Sequence, residues 1–231
     1  TDEGILLGPT DNFSFRTHAP AAFEITIPVF STQWNQGTHQ LTTADFDGDG
    51  RQDIAVTKYK GSPVVAVIRN NCAPKTKCSA SDFSDIKTYS TQGTESWVPA
   101  AGDFNGDGKL DLAIANHYPG NIAFLKNTSA GTGSISFQYQ SAITVGCCIK
   151  NLKAADMNGD GKTDLVASGI VGGSKVLIRQ SGAFSFNTTQ LSNTQSDAWS
   201  LGLADLNADQ LPEILIRAGS SGALQVVPNL T

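Results

Sequence analysis

Short apolar segments of strand length follow one another along the chain, separated by turns rich in glycine and polar residues. Segments such as 54–57 (Ile-Ala-Val-Thr) and 165–168 (Leu-Val-Ala-Ser) recur at about 8–12-residue intervals, a spacing that is typical of all-β proteins. No apolar run approaches the roughly 20 residues of a membrane-spanning helix, so we expect no membrane insertion. The pattern predicts an all-β protein, and 231 residues are enough for one domain with a substantial core.

The segments repeat four times in the same order, with a period of about 50 residues. Each repeat begins with a segment rich in small residues, which suits an inner strand crowded near an axis. The predicted inner strands lie at 41–44, 99–102, 152–155 and 201–204, the second strands at 54–58, 112–115, 165–168 and 214–217, the third strands at 64–69, 121–126, 174–179 and 223–227, and the fourth strands at about 83–89, 135–144 and 184–191. Four antiparallel strands per repeat predict the blades of a β-propeller.

An acidic nine-residue loop joins the first and second predicted strands of every repeat. The first aspartates of successive loops lie 58, 53 and 49 residues apart. The loops are 45–53 (loop 1, Asp-Phe-Asp-Gly-Asp-Gly-Arg-Gln-Asp), 103–111 (loop 2, Asp-Phe-Asn-Gly-Asp-Gly-Lys-Leu-Asp), 156–164 (loop 3, Asp-Met-Asn-Gly-Asp-Gly-Lys-Thr-Asp) and 205–213 (loop 4, Asp-Leu-Asn-Ala-Asp-Gln-Leu-Pro-Glu). A pattern repeated at this spacing predicts one chemistry that is used once per blade.

Oxygen atoms at loop positions 1, 3, 5 and 9 can surround one point if the backbone curls, and glycine at position 6 permits the turn. The carbonyl at position 7 adds a ligand, and such an all-oxygen cage suits Ca²⁺ better than Mg²⁺ or Zn²⁺. The predicted ligands are Asp45, Asp47, Asp49, Arg51 and Asp53 in loop 1, Asp103, Asn105, Asp107, Lys109 and Asp111 in loop 2, Asp156, Asn158, Asp160, Lys162 and Asp164 in loop 3, and Asp205, Asn207, Asp209, Leu211 and Glu213 in loop 4.

Loop 4 departs from the other three loops. Gln210 replaces the turn glycine, Pro212 stands at position 8, and Glu213 replaces the last aspartate. We therefore predict calcium in loops 1 to 3 and leave the occupancy of loop 4 open. The alternative for every loop is a set of Asx-turns without metal, although the crowded carboxylates of loop 1 would then repel one another.

An EF-hand is excluded by the residues that follow the loops. Position 12 of an EF-hand is a bidentate glutamate, whereas this chain has Val56, Ile114 and Ala167 there. The flanking segments are of β type and not helical. The loops with their strands instead resemble the calcium-binding FG-GAP repeats of integrin α-subunit propellers and their bacterial and fungal relatives.

The resemblance covers residues 38–231 and implies a β-propeller with Ca²⁺ between the first two strands of each blade. Family propellers commonly have about seven blades, whereas this chain carries four loops. We expect a single domain over 1–231, with blades at approximately 38–90, 96–145, 150–191 and 198–231 plus 23–30. Segment 23–30 would supply the missing last strand and close a four-bladed ring. A fragment of a larger propeller, and two chains that pair into one ring, remain alternatives, so homo-oligomerisation is left open.

The charge distribution supports metal ions more than a basic partner. Of the 21 acidic residues, 13 lie in the four loops, and the formal net charge is −5. Three bound Ca²⁺ ions, each adding two positive charges, would bring it to +1. The chain has no basic stripe of the kind that binds nucleic acid, so we expect no nucleic-acid partner.

The four cysteines favour one short-range disulfide between Cys72 and Cys78. Cys147 and Cys148 are adjacent, and either a vicinal bond or two free thiols would then follow. Four reduced thiols are the alternative. Paired cysteines and extracellular-type calcium loops predict an extracellular, cell-surface or periplasmic location. No leader peptide is recognisable, as expected for a mature or trimmed chain.

Aromatic residues are predicted to gather on the propeller face opposite the acidic loops. Trp34, Trp97 and Trp199 fall in connections between blades, and Tyr118 falls between a second and a third strand. Rings around a channel mouth can stack on sugars or anchor a protein loop, although they can also pack between blades. No nucleophile, base and acid converge in a known catalytic motif. We therefore expect a secreted binding or adhesion module for protein or carbohydrate, and not an enzyme. A structural spacer or an accessory module of a larger protein is the alternative.

Overall fold

The computed structural model describes residues 38–58, 64–169, 171, 173–192, 194, 198–219 and 221–229. Strands dominate this part of the chain. They are β1 (Thr38–Ala44), β2 (Asp53–Lys58), β3 (Val64–Ile68), β4 (Ile86–Ser90), β5 (Ser96–Gly102), β6 (Asp111–Asn116), β7 (Asn121–Asn127), β8 (Phe137–Thr144), β9 (Asn151–Ala155), β10 (Asp164–Ser168), β11 (Lys175–Arg179), β12 (Phe186–Gln190), β13 (Ala198–Ala204), β14 (Glu213–Ala218) and β15 (Leu224–Val227). A 3₁₀ turn (Ala80–Phe83) precedes β4, so the fourth strand of the first blade begins later than predicted.

The strands form four antiparallel sheets in chain order, which are the blades of a four-bladed β-propeller. The sheets are β1-β2-β3-β4, β5-β6-β7-β8, β9-β10-β11-β12 and β13-β14-β15. The predicted all-β propeller is thus confirmed, and the described part of the fourth blade has three strands. Segment 23–30, which was predicted to complete that blade, lies outside the described residues.

The first strand of each blade is its inner strand. β1, β5, β9 and β13 contact one another in succession, and a cavity of about 170 Å³ is lined by residues of β1, β5 and β9. The amide nitrogen Nε2 of Gln40 lies 3.5 Å from the carbonyl oxygen of Lys150 and so reaches from the first blade to the third. Small residues such as Ala100 suit this crowded centre.

Three hydrophobic cores lie between successive blades, and the second residue of each acidic loop enters the core shared with the next blade. Phe46 packs with Phe137 of the second blade, Phe104 with Phe186 of the third, and Met157 belongs to the core that contains Ile214 of the fourth. These three loop residues are at most 3 % exposed. In loop 4 the equivalent residue, Leu206, is 56 % exposed.

Backbone carbonyls of the same loop residues join adjacent blades by hydrogen bonds. Asn127 Nδ2 donates to the carbonyl of Phe46 at 2.7 Å, and Arg179 Nε donates to that of Phe104 at 3.1 Å. The acidic loops therefore connect neighbouring blades as well as the two strands on either side of them.

Both pairs of cysteines are disulfide-bonded. Cys72 is bonded to Cys78, as favoured from the sequence, and Cys147 is bonded to its neighbour Cys148. The vicinal bond resolves the choice that the sequence left open. Among the described residues, no helix is long and apolar enough to cross a membrane.

Candidate metal loops and the opposite face

The four acidic loops share one hydrogen-bond pattern, which begins with the aspartate at position 1. One oxygen of this carboxylate accepts the amide of position 4, and the other accepts the amide of position 6. The distances to positions 4 and 6 are 2.8 and 2.8 Å for Asp45, 2.6 and 2.9 Å for Asp103, 2.8 and 2.7 Å for Asp156, and 2.7 and 2.9 Å for Asp205. The first aspartate therefore curls the loop around itself.

The side chains at positions 3 and 5 continue the pattern as Asx-turns. Each accepts the amide two residues further on, as Asn105 does from Asp107 at 2.8 Å and Asp107 from Lys109 at 3.0 Å. The Asx-turns considered in the sequence analysis are thus present. They leave oxygen lone pairs available, so these turns and a bound cation are compatible.

Positions 4 and 6 both have the left-handed backbone conformation, which was predicted from the sequence for position 6 alone. Loop 1 has glycine at both positions, with φ of 73° at Gly48 and 84° at Gly50. Loop 4 keeps the same fold with φ of 64° at Ala208 and 74° at Gln210. Because side chains disfavour this region, loop 4 adopts the common shape at a cost in conformational energy.

We expect Gln210→Gly to raise the free energy of unfolding by about 0.5–1 kcal/mol, since relief of the left-handed strain exceeds the entropy cost of glycine. The matched control is Gly161→Ala in loop 3, where φ is 75° and an added Cβ would meet no atom within 4 Å. This control should lower the free energy by about 1–2 kcal/mol. Urea unfolding measures both changes, and a neutral or destabilised Gln210→Gly variant would contradict the explanation.

The carboxylate at position 9 is buried and closes the loop onto the end of the third strand. Asp111 accepts the amide of Phe104 at 3.1 Å and that of Asn127 at 2.8 Å, and Asp53 and Asp164 do the same in their blades. Burial raises the pKa of Asp111 to about 6, and it also raises the pKa of Asp53 and Asp164. A buried carboxylate near other carboxylates is an environment that a cation would stabilise.

Loop 1 brings its acidic groups closest to a metal-binding arrangement. Among the described residues, one oxygen from each of Asp45, Asp47 and Asp49 lies within 4.8 Å of the other two. Carboxylate and amide oxygens from positions 1, 3, 5 and 9, with the carbonyl of position 7, form a donor set that fits Ca²⁺. These residues would hold the ion, and its role at the tip of a hairpin would be structural.

A cavity of about 390 Å³ separates loops 1 and 2 on this face. Asp45, Asp47, Lys109 and Leu110 contribute to its lining. Lys109 Nζ donates to the carbonyl of Ser129 at 2.6 Å, so the ammonium group is held against the second blade. This cavity could not be predicted from the sequence, because it depends on how two blades meet.

The opposite face carries a ring of four equivalent positions, each six residues before a loop aspartate. They are occupied by His39, Trp97, Lys150 and Trp199. The structure joins them as two pairs: the rings of His39 and Trp97 stack at 4.3 Å, and Lys150 Nζ lies 4.4 Å from the centre of the Trp199 ring. Strand pairing is irregular at this level in the first, second and fourth blades, and such bulges re-aim side chains.

The two described tryptophans of this face have different environments. Trp97 is partly buried and stacks between His39 and His117, with centroid distances of 4.3 and 4.0 Å. Trp199 is 60 % exposed. Burial lowers the pKa of both histidines, although Glu95, which lies 3.5 Å from His117 Nδ1, acts in the opposite direction. Trp97 is therefore packed as part of the scaffold, whereas Trp199 presents its ring to solvent. Trp34 lies outside the described residues.

Tyr118 and the vicinal disulfide extend the exposed part of this face. Tyr118 is 47 % exposed and packs edge-on against His117. The amide of Cys148 donates to the carbonyl of His117 at 3.1 Å, and that of Val171 donates to the carbonyl of Cys147 at 3.2 Å. Backbone hydrogen bonds thus join the disulfide to His117 of the second blade, which precedes Tyr118, and to Val171 of the third blade.

Comparisons with known proteins agree with the repeat pattern. The FG-GAP-like repeat model matches residues 103–167 and 156–216, and the FG-GAP repeat model matches residues 38–65. No curated protein matches the chain. A crystal structure of the V. cholerae biofilm matrix protein Bap1 is similar over 88 % of this chain and 32 % of that chain, with 21 % identity and a TM-score of 0.40. This chain thus spans about a third of the length of Bap1. On the evidence of the repeats, the protein belongs to the FG-GAP repeat family.

Proposed function

We propose that the chain is a calcium-stabilised binding module of an extracellular protein and that it binds a carbohydrate or protein ligand on the face opposite the acidic loops. The exposed ring of Trp199 beside Lys150 carries this proposal. An indole ring that is 60 % exposed contributes little to the core, and aromatic rings with a polar neighbour are favoured at binding surfaces.

On the face opposite the acidic loops, the arrangement of the side chains supports a single binding site around Lys150 and Trp199. The four equivalent positions at its centre form one packed pair, His39 with Trp97, and one accessible pair, Lys150 with Trp199. Tyr118 adds a second exposed ring. A scaffold with four similar blades therefore presents an asymmetric surface, which suits a single preferred ligand orientation.

Calcium has a structural role in this proposal. The predicted ligands lie on the loop face, whereas Trp199 lies at the other end of the inner strands. The acidic groups that converge among the described residues are those of loop 1, and they fit a cation better than a substrate. We accordingly propose that the chain acts by binding and not by catalysis. Its two disulfides support an oxidising, extracellular location.

A glycan array and a pull-down from extracellular material test the ligand. We expect Trp199→Ala to weaken binding at least about tenfold, as for a central aromatic contact, without changing the thermal midpoint. The matched control is Leu224→Ala in the same blade, where the side chain is 65 % exposed. It should change neither binding nor stability. If wild-type protein binds nothing in either assay, the chain is a spacer or an accessory module.

A further inference from the structure

Loop 1 differs from the other loops in that arginine side chains already neutralise its carboxylates. Arg69, the residue after β3, donates from Nε to Asp47 Oδ2 at 2.6 Å and from Nη2 to Asp49 Oδ2 at 2.7 Å. Arg51 donates to the same oxygen of Asp49. One guanidinium group thus spans two of the four carboxylates predicted to hold a cation in loop 1.

These ion pairs are shielded from water. The side chains of Arg69, Asp47 and Asp49 are 12 %, 0 % and 6 % exposed. The amide of Gly133 also donates to Asp47 Oδ2, at 2.7 Å. Burial alone would raise the pKa of Asp47. The hydrogen bond and charge of Arg69, together with the hydrogen bond from the Gly133 amide, instead hold this pKa below its ordinary value. The Asp47 carboxylate is therefore ionised, and both Asp47 and Asp49 are engaged by arginine.

The equivalent position carries less compensating charge in the later blades. It is Lys126 in the second blade, Ile178 in the third and Pro228 in the fourth. Lys126 Nζ lies 3.2 Å from Asp107 Oδ2, and these side chains are 38 % and 32 % exposed. In loop 3, Lys162 pairs with Asp160 at 2.8 Å, with exposures of 35 % and 30 %. Such exposed pairs contribute little and are easily displaced.

We propose that Arg69 is a built-in competitor of calcium in loop 1, so that loops 2 and 3 fill at lower calcium concentrations than loop 1. A divalent ion needs the oxygens that the guanidinium group occupies, and the displaced arginine would leave a buried ion pair, which costs more than leaving an exposed one. The inference rests on the proposed calcium binding. It predicts that three loops of similar sequence bind calcium in a fixed order, with loop 1 last.

Calorimetric calcium titration of the whole chain tests this order. Asp49→Asn, Asp107→Asn and Asp160→Asn assign the binding phases to loops 1, 2 and 3, and we expect the loop 1 phase to be the weakest of the three. Arg69→Gln should move that phase to at least about tenfold lower calcium. Lys126→Gln, the matched variant of the second blade, should shift the loop 2 phase by less than about threefold.

A stability measurement provides an independent readout. In chelator, Arg69→Gln should melt below wild type, because Asp47 and Asp49 lose their counter-charge, and calcium should raise its midpoint by more than that of wild type. Arg69→Lys keeps the positive charge but cannot bridge Asp47 and Asp49 as the guanidinium group does. Its midpoint in chelator should therefore lie between those of wild type and Arg69→Gln. Two results would overturn this inference and leave the proposed calcium binding intact. One is an unchanged calcium affinity of loop 1 in Arg69→Gln, and the other is an equal loss of stability of this variant with and without calcium. Absence of calcium uptake by wild type in any loop would instead refute the proposed calcium binding.

Discussion

Removal of calcium with excess chelator should lower the thermal midpoint by at least about 15 °C. A ligand present at 100 times its dissociation constant adds about 2.7 kcal/mol per site, and three filled loops would add about three times that amount. For a chain of this size, 1 kcal/mol corresponds to roughly 2–4 °C. The physical reason is that the loops concentrate carboxylates, which repel one another without a cation, most of all in loops 2 and 3, where no arginine among the described residues is paired with them. Scanning calorimetry in millimolar calcium and in chelator measures the difference.

Single-loop variants identify the source of this effect. Asp107→Asn should abolish the contribution of loop 2, because it removes a charged ligand while the side-chain oxygen can still accept the amide of Lys109. Asp85→Asn removes one negative charge outside the loops and should leave the calcium response intact. If the wild-type melt were the same in calcium and in chelator, the loops would be hydrogen-bonded turns without metal.

Truncation of Phe104 is expected to produce the largest loss of stability from a single substitution. Its side chain is fully buried between the second and third blades, where it contacts Phe124 and Phe186 at centroid distances of 5.6 and 6.2 Å. Phe104→Ala should lower the free energy of unfolding by about 3–5 kcal/mol, through lost apolar burial and the cavity left behind.

The equivalent residue of loop 4 provides the control for Phe104. Leu206 occupies the same loop position but is 56 % exposed, so Leu206→Ala should change the free energy by less than about 0.5 kcal/mol. Urea unfolding of both variants in the presence of calcium separates packing from metal binding. A loss of similar size at both positions would show that the second loop residue does not act by insertion into the next blade.

The sequence was sufficient to predict features that follow from local periodicity. The strand order within each blade and the positions of the acidic loops follow from apolar segments and from the spacing of aspartates, and the structure has both. The pairing of Cys72 with Cys78 was also predictable, because the intervening loop is short. These features depend on residues close together in the chain.

Features that depend on contacts between blades could not be predicted in the same way. Phe46, Phe104 and Met157 recur at loop position 2, but the receiving core comes from the next repeat. The stacking of Trp97 between two histidines likewise requires residues of two blades. One contact within a single blade was missed as well: Arg69 is separated from loop 1 by a whole hairpin, so its approach to Asp47 becomes visible only once β2 and β3 are paired.

In loops 1 to 3 the inserted residue always enters the core shared with the next blade along the chain. Loss of the fourth blade would uncover Met157 and expose an apolar surface of the third blade to solvent. Loss of the first blade would withdraw Phe46 and uncover the second-blade half of the core that the two blades share, including Leu112, Leu125 and Phe137. Shortened forms of the protein that lack either terminal blade should therefore expose the remaining half of an interblade core and aggregate.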